Sequence, residues 1–138
     1  MIEIQSIQDI DEGLEYSFEA SFSKEEIESY AKLSGDFNPL HVNKDYAVEQ
    51  GFQDQVAHGL LTSSLFSRLI GMHIPGDKAL ILESQLKFRK PVYPEESLIV
   101  HGKVNSVSEG TGTFELKTTL SNKIAEKKVT GKFTIKVV

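Results

Sequence analysis

Apolar and polar residues alternate strictly over residues 14–22. One face carries glutamate and serine, and the other carries only apolar side chains, namely Leu14, Tyr16, Phe18, Ala20 and Phe22. A period of two is typical of a strand with one buried face. Ser23 and Glu26 then match a capping box, so we predict a helix that begins there and ends at Gly35. A second, short helix is predicted from residue 43 or 44 to residue 50, before Gly51.

Residues 59–72 follow a different pattern, in which apolar or small side chains lie on nearly every side of a helix. Arg68 is the only charged residue of this stretch, and the pair at residues 75–76, Pro-Gly, closes it. A helix of this composition is normally buried all round. We therefore predict a long central helix that other elements cover.

From Leu80 the period returns to two and continues nearly to the end of the chain. Four stretches alternate in this way, at residues 80–89, 97–107, 112–120 and 129–137, and turn-forming residues separate them. Consecutive alternating strands on short connections indicate an antiparallel sheet with one wet face. One apolar sheet face and one apolar helix together predict an α+β fold in which the sheet wraps around the central helix.

Length, charge and composition indicate a single domain and exclude several classes of function. A length of 138 residues is that of one domain, which we assign to residues 1–138. The net charge of -5 argues against a nucleic-acid binder, and the absence of cysteine removes disulfide, thiolate–zinc and iron–sulfur chemistry. The first residues do not resemble a signal peptide, and the longest apolar run, at residues 79–82, is far too short to cross a bilayer. We expect a cytoplasmic protein without a membrane partner.

Candidate chemistry is densest at residues 34–41, with the sequence SGDFNPLH. Gly35 ends a helix and Asn38-Pro39 cannot continue it, so Asp36 and His41 lie on a bent segment from which both can point into one cavity. An Asp–His pair can activate water, because one group accepts a proton while the other donates one. The residues alone also allow a structural role, in which Asp36 and Asn38 form a turn and His41 lies at the surface.

Other polar residues allow both a structural and a functional interpretation. Gly59 begins the central helix, where free backbone N–H groups could stabilise an oxyanion, although glycine is common at such positions. His58 beside it could pack, cap the helix or take part in chemistry. A basic patch, which could contact phosphates or face solvent, follows near the end of the first long strand at Lys87, Arg89 and Lys90.

The sequence around the candidate residues supports neither a nucleophilic serine nor a histidine metal site. Ser67 lacks the GxSxG context of a nucleophile, and a helical serine commonly bonds back to the preceding turn. His73 and His101 are interpreted as a helix-end residue and an outward strand residue, because neither has a metal-ligand spacing. No metal site is predicted.

Four motifs resemble the signature of the MaoC-like, R-specific enoyl-CoA hydratases. They are YxxLSGDxNPLH at residues 30–41, FxxxVAHGL at residues 52–60, LFS at residues 65–67 and LKFxKPV at residues 86–92. The first is long and specific, and the resemblance extends over roughly residues 20–137. It implies the hot dog fold, an antiparallel sheet wrapped around a long central helix, and a homodimer or higher homo-oligomer formed by extending the sheet.

The resemblance also implies an activity and residue roles. It implies a hydro-lyase that adds water to trans-2-enoyl thioesters to give (R)-3-hydroxyacyl thioesters, or catalyses the reverse dehydration. Asp36 and His41 would hold the reacting water, the Gly59 N–H would polarise the thioester carbonyl, Ser67 would support the site by hydrogen bonding, and Asn38 would hold the turn. No metal or redox cofactor is implied, and the acyl group would arrive on coenzyme A or on the phosphopantetheine arm of an acyl carrier protein.

Two alternatives stay open. A thioesterase of this fold generally carries its carboxylate on the central helix, whereas residues 59–72 contain no Asp or Glu. A non-catalytic subunit of a heteromeric dehydratase, or an acyl-thioester-binding module, would be expected to lack the Asp36–His41 pair, and both residues are present.

Overall fold

The chain folds as one antiparallel sheet with a helix packed across it, in a computed structural model that describes residues 3–138. A short 3₁₀ helix at Ile7–Asp9 places Ile4, Ile7 and Ile10 in the core. The other elements, in chain order, are β1 (Glu15–Ala20), α1 (Lys24–Ser34), α2 (Pro39–Val42), α3 (Lys44–Glu49), α4 (Gly59–Met72), β2 (Ala79–Phe88), β3 (Leu98–Ser108), β4 (Thr113–Asn122) and β5 (Lys127–Val137).

The five strands lie in the order β1-β3-β4-β5-β2, and every neighbouring pair is antiparallel. Alternation puts Val129, Phe133 and Ile135 of β5 into the core, as the period of two predicts. Helix α4 contributes four buried apolar residues to the same core (Leu65, Phe66, Leu69 and Ile70). The predicted architecture of a sheet with a central helix is confirmed.

Glycine on the concave face of the sheet allows α4 to lie close to β3. A Cβ atom on Gly102 would overlap the Leu69 side chain and contact Leu116 at 3.4 Å. Gly102 is itself buried between these side chains. The sheet therefore receives the helix where β3 carries no side chain.

The prediction that α4 is buried all round is wrong for a single chain. An exposed stripe runs along its outer side at helical spacing and comprises Leu60, Ser64, Ser67, Arg68 and Met72. Leu60 is 63% exposed and Met72 is 66% exposed. The sheet covers only one side of the helix. The apolar pattern predicts that the helix is buried, but it does not show how many of its sides this chain covers.

Strand β2 departs from its prediction for a related reason. It lies at the edge of the sheet and pairs only with β5, and along it only Ala79 and Leu86 are partly buried. Leu80 and Leu82, which the period of two places on one face of the strand, are 48% and 53% exposed. The alternation predicts the strand correctly but does not show that its apolar residues lack cover within one chain.

Local sequence signals position the helices that lead to α4. Ser23 and Glu26 form the predicted capping box, and Gly35 ends α1 with a left-handed φ of 79°. Asn43 caps α3 by accepting a hydrogen bond from the Tyr46 N–H. Within residues 3–138 no helix combines the length and apolarity needed to cross a membrane.

His73 lies at a helix end and His101 lies on a strand, as predicted from the sequence. His73 caps the C-terminus of α4, and its ring stacks on Tyr16 with centroids 4.0 Å apart. Burial, followed by the charge of Arg68, lowers the pKa of His73 and so favours the neutral form of the stacked ring. His101 lies on β3 and contacts the Glu15 carboxylate at 3.1 Å.

Candidate active site

The segment from residue 36 to residue 41 forms a turn that leads directly into α2. The Asn38 N–H donates to Asp36 Oδ1 at 3.1 Å, and Asn38 Oδ1 accepts from the Leu40 N–H at 3.0 Å. Pro39 then occupies the first helical position, where its missing N–H costs nothing. Gly35 ends α1 and Pro39 begins α2, and Asn38 holds the turn between Asp36 and His41.

His41 is fixed by a backbone carbonyl. Its Nδ1 lies 2.6 Å from the Val56 oxygen, and because a carbonyl can only accept, Nδ1 carries the proton. Nε2 of the neutral ring therefore presents a lone pair, 3.8 Å from Asp36 Oδ2. That separation is too long for a direct hydrogen bond, but one water at about 2.8 Å from each atom would bridge them. The His41 side chain is 16% exposed and that of Asp36 is 51% exposed.

The segment that carries Val56 is held from both sides. The Val56 N–H donates to the Leu40 oxygen at 2.9 Å, the Gln55 side chain donates to the His41 oxygen at 2.8 Å, and the Ala57 N–H donates to the Val92 oxygen at 2.8 Å. Residues 55–57 thus link α2 to the loop that follows β2. The carbonyl that orients His41 belongs to backbone anchored in both directions.

Buried Lys128 anchors the loop after β2. Its Nζ lies 2.9 Å from a Glu96 carboxylate oxygen and 3.1 Å from the Pro91 oxygen. Burial acts to lower the pKa of Lys128, but the hydrogen bonds and charges of Glu96 and Glu126 outweigh it and raise the pKa overall. The ammonium therefore stays charged and ties the loop to β5.

The N-terminus of α4 lies beside Asp36 and His41. Gly59 is the first residue of the helix, and the first N–H groups of a helix have no intrahelical partner and carry the positive end of its dipole. Two cavities of about 300 and 290 Å³ meet there, and His41, Gly59 and Phe88 line both. One is mainly apolar, and the other also contains Asp36, Ser34 and Tyr30. A ligand that enters either cavity therefore reaches His41 and the helix N-terminus together.

A family model described as "MaoC like domain" matches residues 6–127 of the chain. The chain belongs to this family. An (R)-specific enoyl-CoA hydratase from Aeromonas caviae is 30% identical over 132 residues, which cover 96% of this chain and 98% of the relative. A mitochondrial 3-hydroxyacyl-[acyl-carrier-protein] dehydratase from Arabidopsis thaliana is 42% identical over 78 residues, which cover 56% of this chain and 46% of that protein.

A solved structure of an (R)-hydratase from A. caviae involved in PHA biosynthesis matches the whole fold of this MaoC-like chain. The TM-score is 0.91 at 30% identity, with 95% of this chain and 99% of the other covered. The predicted family and the hot dog fold are confirmed. The relatives named here are hydratases and dehydratases of acyl thioesters, which are hydro-lyases.

The structure separates the predicted site residues of this MaoC-like chain into two groups. It brings Asp36, His41 and Gly59 together, and Arg89 and Lys90 line the apolar cavity. Lys87 lines neither cavity. Ser67 lies on the exposed stripe of α4, two turns beyond Gly59, and lines neither cavity. Its supporting role stays a prediction.

Two contributors were not singled out by sequence reasoning. The Val56 carbonyl orients His41, but a backbone group has no side-chain signature. Phe88 lines both cavities, and its only signal was the LKFxKPV motif in which it lies. Contacts of this kind depend on how distant segments pack.

The stacked histidines do not converge on a metal ion. Ligand atoms of Asp36, His41 and His58 lie within 4.8 Å of one another. The two imidazole rings, however, stack at 3.9 Å with only 27° between their planes. A metal lies about 2.0 Å from each histidine nitrogen and close to both ring planes, which nearly parallel stacked rings do not allow. The arrangement of the cluster fits hydrogen bonding better than metal binding.

Phe88 limits the space above Gly59. A Cβ atom on Gly59 would lie 2.9 Å from two Phe88 ring carbons, so Gly59→Ala must displace the ring although it keeps the backbone N–H. We expect Gly59→Ala to lower turnover of an enoyl-CoA about 100-fold, the scale of a small misplacement in a site. In a Phe88→Ala background the same substitution is expected to cost much less. Steady-state kinetics of the four proteins form a double-mutant cycle.

Gly71→Ala is the matched control, because it lies on the same helix with nothing within 4 Å of an added Cβ. Its turnover should equal that of the unmodified protein. A Gly59→Ala effect of equal size in both backgrounds would show that the Phe88 contact is not its cause.

Proposed function

We propose that this chain catalyses the (R)-specific hydration of trans-2-enoyl thioesters and the reverse dehydration of (R)-3-hydroxyacyl thioesters. The observation that carries the proposal is the 3.8 Å separation of His41 Nε2 and Asp36 Oδ2 beside the first N–H groups of α4. The pair can hold a water, and the helix N-terminus can hold the carbonyl oxygen that activates the substrate. The names of the relatives supply the substrate class and the (R) configuration.

In this proposal the thioester oxygen accepts a hydrogen bond from the Gly59 N–H. Attack of water at Cβ moves electron density onto that oxygen, where the N–H and the helix dipole stabilise the developing charge. Gly59 suits this role, since it presents no side chain between the N–H groups and the cavity.

His41 or Asp36 takes a proton from the attacking water, and the pair returns one proton to Cα. One C–O bond forms at Cβ and one C–H bond forms at Cα, so one water is consumed and the pair ends in its starting protonation state. Because both groups lie close together, water and proton reach the same face of the substrate. Dehydration uses the same groups in reverse order.

The apolar cavity offers space for the acyl portion beside the carrier. Its apolar wall includes Phe52, Val56 and Val92, and the basic side chains Arg89 and Lys90 also line it. We propose that these two cations meet the phosphate groups of a pantetheine carrier, which coenzyme A and an acyl carrier protein share. Arg89 Nε already donates to Thr130 Oγ1 at 3.1 Å, which holds the guanidinium close to β5.

We predict that purified protein, dialysed against a chelator, removes the enoyl-thioester absorbance of crotonyl-CoA and forms (R)-3-hydroxybutyryl-CoA. Asp36→Asn and His41→Ala should each remain folded and lose at least about 100-fold in turnover, because each removes one partner of the proton transfer. Spectrophotometry and chiral product analysis measure both expectations. Asp77→Asn, an exposed carboxylate outside both cavities, is the control and should keep full activity.

Each other outcome contradicts a stated part of the proposal. Wild-type turnover in either variant would show that the pair is misassigned, and activity that requires a metal after dialysis would contradict cofactor-free chemistry. Release of free coenzyme A without hydration would identify a thioesterase. Binding without turnover of crotonyl-CoA, longer enoyl-CoAs and an enoyl-acyl carrier protein would identify a non-catalytic subunit.

We propose further that two copies of the chain pair through β2 and the exposed stripe of α4. The support is apolar surface at an unpaired sheet edge, where Leu80, Ile81 and Leu82 are each at least 39% exposed. Such an edge is a template for pairing with another strand. Homodimerisation by sheet extension is also what the family resemblance implies.

A charge on this edge should separate the two copies. Leu82→Lys is expected to shift sedimentation from dimer to monomer, since it places an ammonium in the paired surface. Ile124→Lys is the control, because Ile124 is equally apolar and 85% exposed but lies in the β4–β5 turn and not on β2. In that turn Lys123 contacts Glu19 of β1, the strand at the opposite edge of the sheet from β2. A monomeric wild-type protein, or dissociation by both variants alike, would contradict the proposed interface.

A further inference from the structure

His58 occupies the N-cap position of α4 without capping the helix. Its side chain makes no cap hydrogen bond and is turned into the protein, where the residue is only 2% exposed. Ser, Thr, Asp and Asn are the residues that satisfy an N-cap. A histidine buried there, with its ring directed elsewhere, calls for an explanation other than helix stability.

The ring of His58 contacts both members of the catalytic pair. Its Nε2 lies 2.9 Å from the backbone oxygen of Asp36, and its face stacks on the His41 ring with centroids 3.9 Å apart. The Tyr30 ring also packs against His58 in a T-shaped contact, with centroids 4.8 Å apart. One side chain therefore restrains the backbone of Asp36 and the ring of His41 together.

The hydrogen bonds determine the protonation of His58. The Asp36 carbonyl can only accept, so the proton is on Nε2. Nδ1 is buried and has no hydrogen-bond partner among residues 3–138. A second proton there would be a buried, unpaired donor on a cation, which is costly. The surroundings of the ring therefore fit the tautomer with the proton on Nε2, in which His58 is a donor to the Asp36 backbone.

We propose that His58 is a positioning residue for the hydration reaction: it sets the separation and orientation of Asp36 and His41 through its Nε2–H and its stacked face. This inference rests on the proposed function, because it assigns His58 a role in that same reaction. His58 lines the same cavity as Asp36 and His41, but it is only 2% exposed, and its Nε2–H and its stacked face are directed at those two residues. It therefore acts through the pair.

Three substitutions separate the two contacts. His58→Gln retains a donor for the Asp36 oxygen without the ring, His58→Phe retains the stacked ring without the donor, and His58→Ala retains neither. We expect kcat to fall about 100-fold for His58→Ala and about tenfold for each of the other two, the range that small misplacements produce. KM should change less than about threefold, because the groups that the proposed function assigns to binding (the Gly59 N–H, Arg89 and Lys90) are not altered.

His101→Ala is the control, since that histidine also makes a side-chain hydrogen bond but lies on β3 outside both cavities. Its kcat should equal that of the wild type. Wild-type kcat in folded His58→Ala, or a loss confined to KM, would overturn the proposal. If His58→Ala does not fold, the partial losses in His58→Phe and His58→Gln carry the test, and wild-type kcat in both would overturn it.

A crystal structure of a His58 variant distinguishes failure of this inference from failure of the proposed function. The inference predicts that the distance between His41 Nε2 and Asp36 Oδ2 departs from 3.8 Å, or that either side chain becomes disordered. An unchanged pair would refute the positioning role even in an active enzyme. Absence of turnover in the wild type would refute the proposed function and leave this structural readout in place.

Discussion

The hydrogen bond from His41 Nδ1 to the Val56 oxygen, at 2.6 Å, is the contact on which the site depends. It fixes which nitrogen carries the proton and which presents a lone pair. It also fixes the ring orientation, so that Nε2 points towards Asp36. Without it, the same two side chains would lie near each other, but neither the tautomer nor the orientation of the His41 ring would be fixed.

The rest of the fold holds the two ends of this hydrogen bond in place. On one side, Asn38 and Pro39 start α2, so that His41 lies on a helical turn and not on a mobile loop. On the other side, the Val56 segment bonds to Leu40 and to the loop after β2, which Lys128 anchors to β5. The sheet therefore contributes to the position of a histidine that it does not itself carry.

Much of this arrangement follows from local patterns, and the part that does not has a physical reason. Alternation predicts all five strands, and the Ser23–Glu26 capping box and Gly35 predict α1, because these signals act between residues close in sequence. The convergence of Asp36 and His41 could be predicted for the same reason. The contacts of His58 could not be predicted, because they are made with residues 17 and 22 positions earlier in the chain. The exposure of β2 and of one side of α4 was not predicted. An apolar pattern shows which residues favour burial, but it does not show whether the chain itself covers them.

Nitrogen-15 NMR of the histidine rings tests the account most directly, with His41 assigned by the signals lost in His41→Ala. At a pH where the ring is neutral, the account predicts a protonated Nδ1 and an unprotonated Nε2, as the Val56 hydrogen bond requires. The opposite tautomer, with the proton on Nε2, would place a donor where the account needs a base and would contradict it.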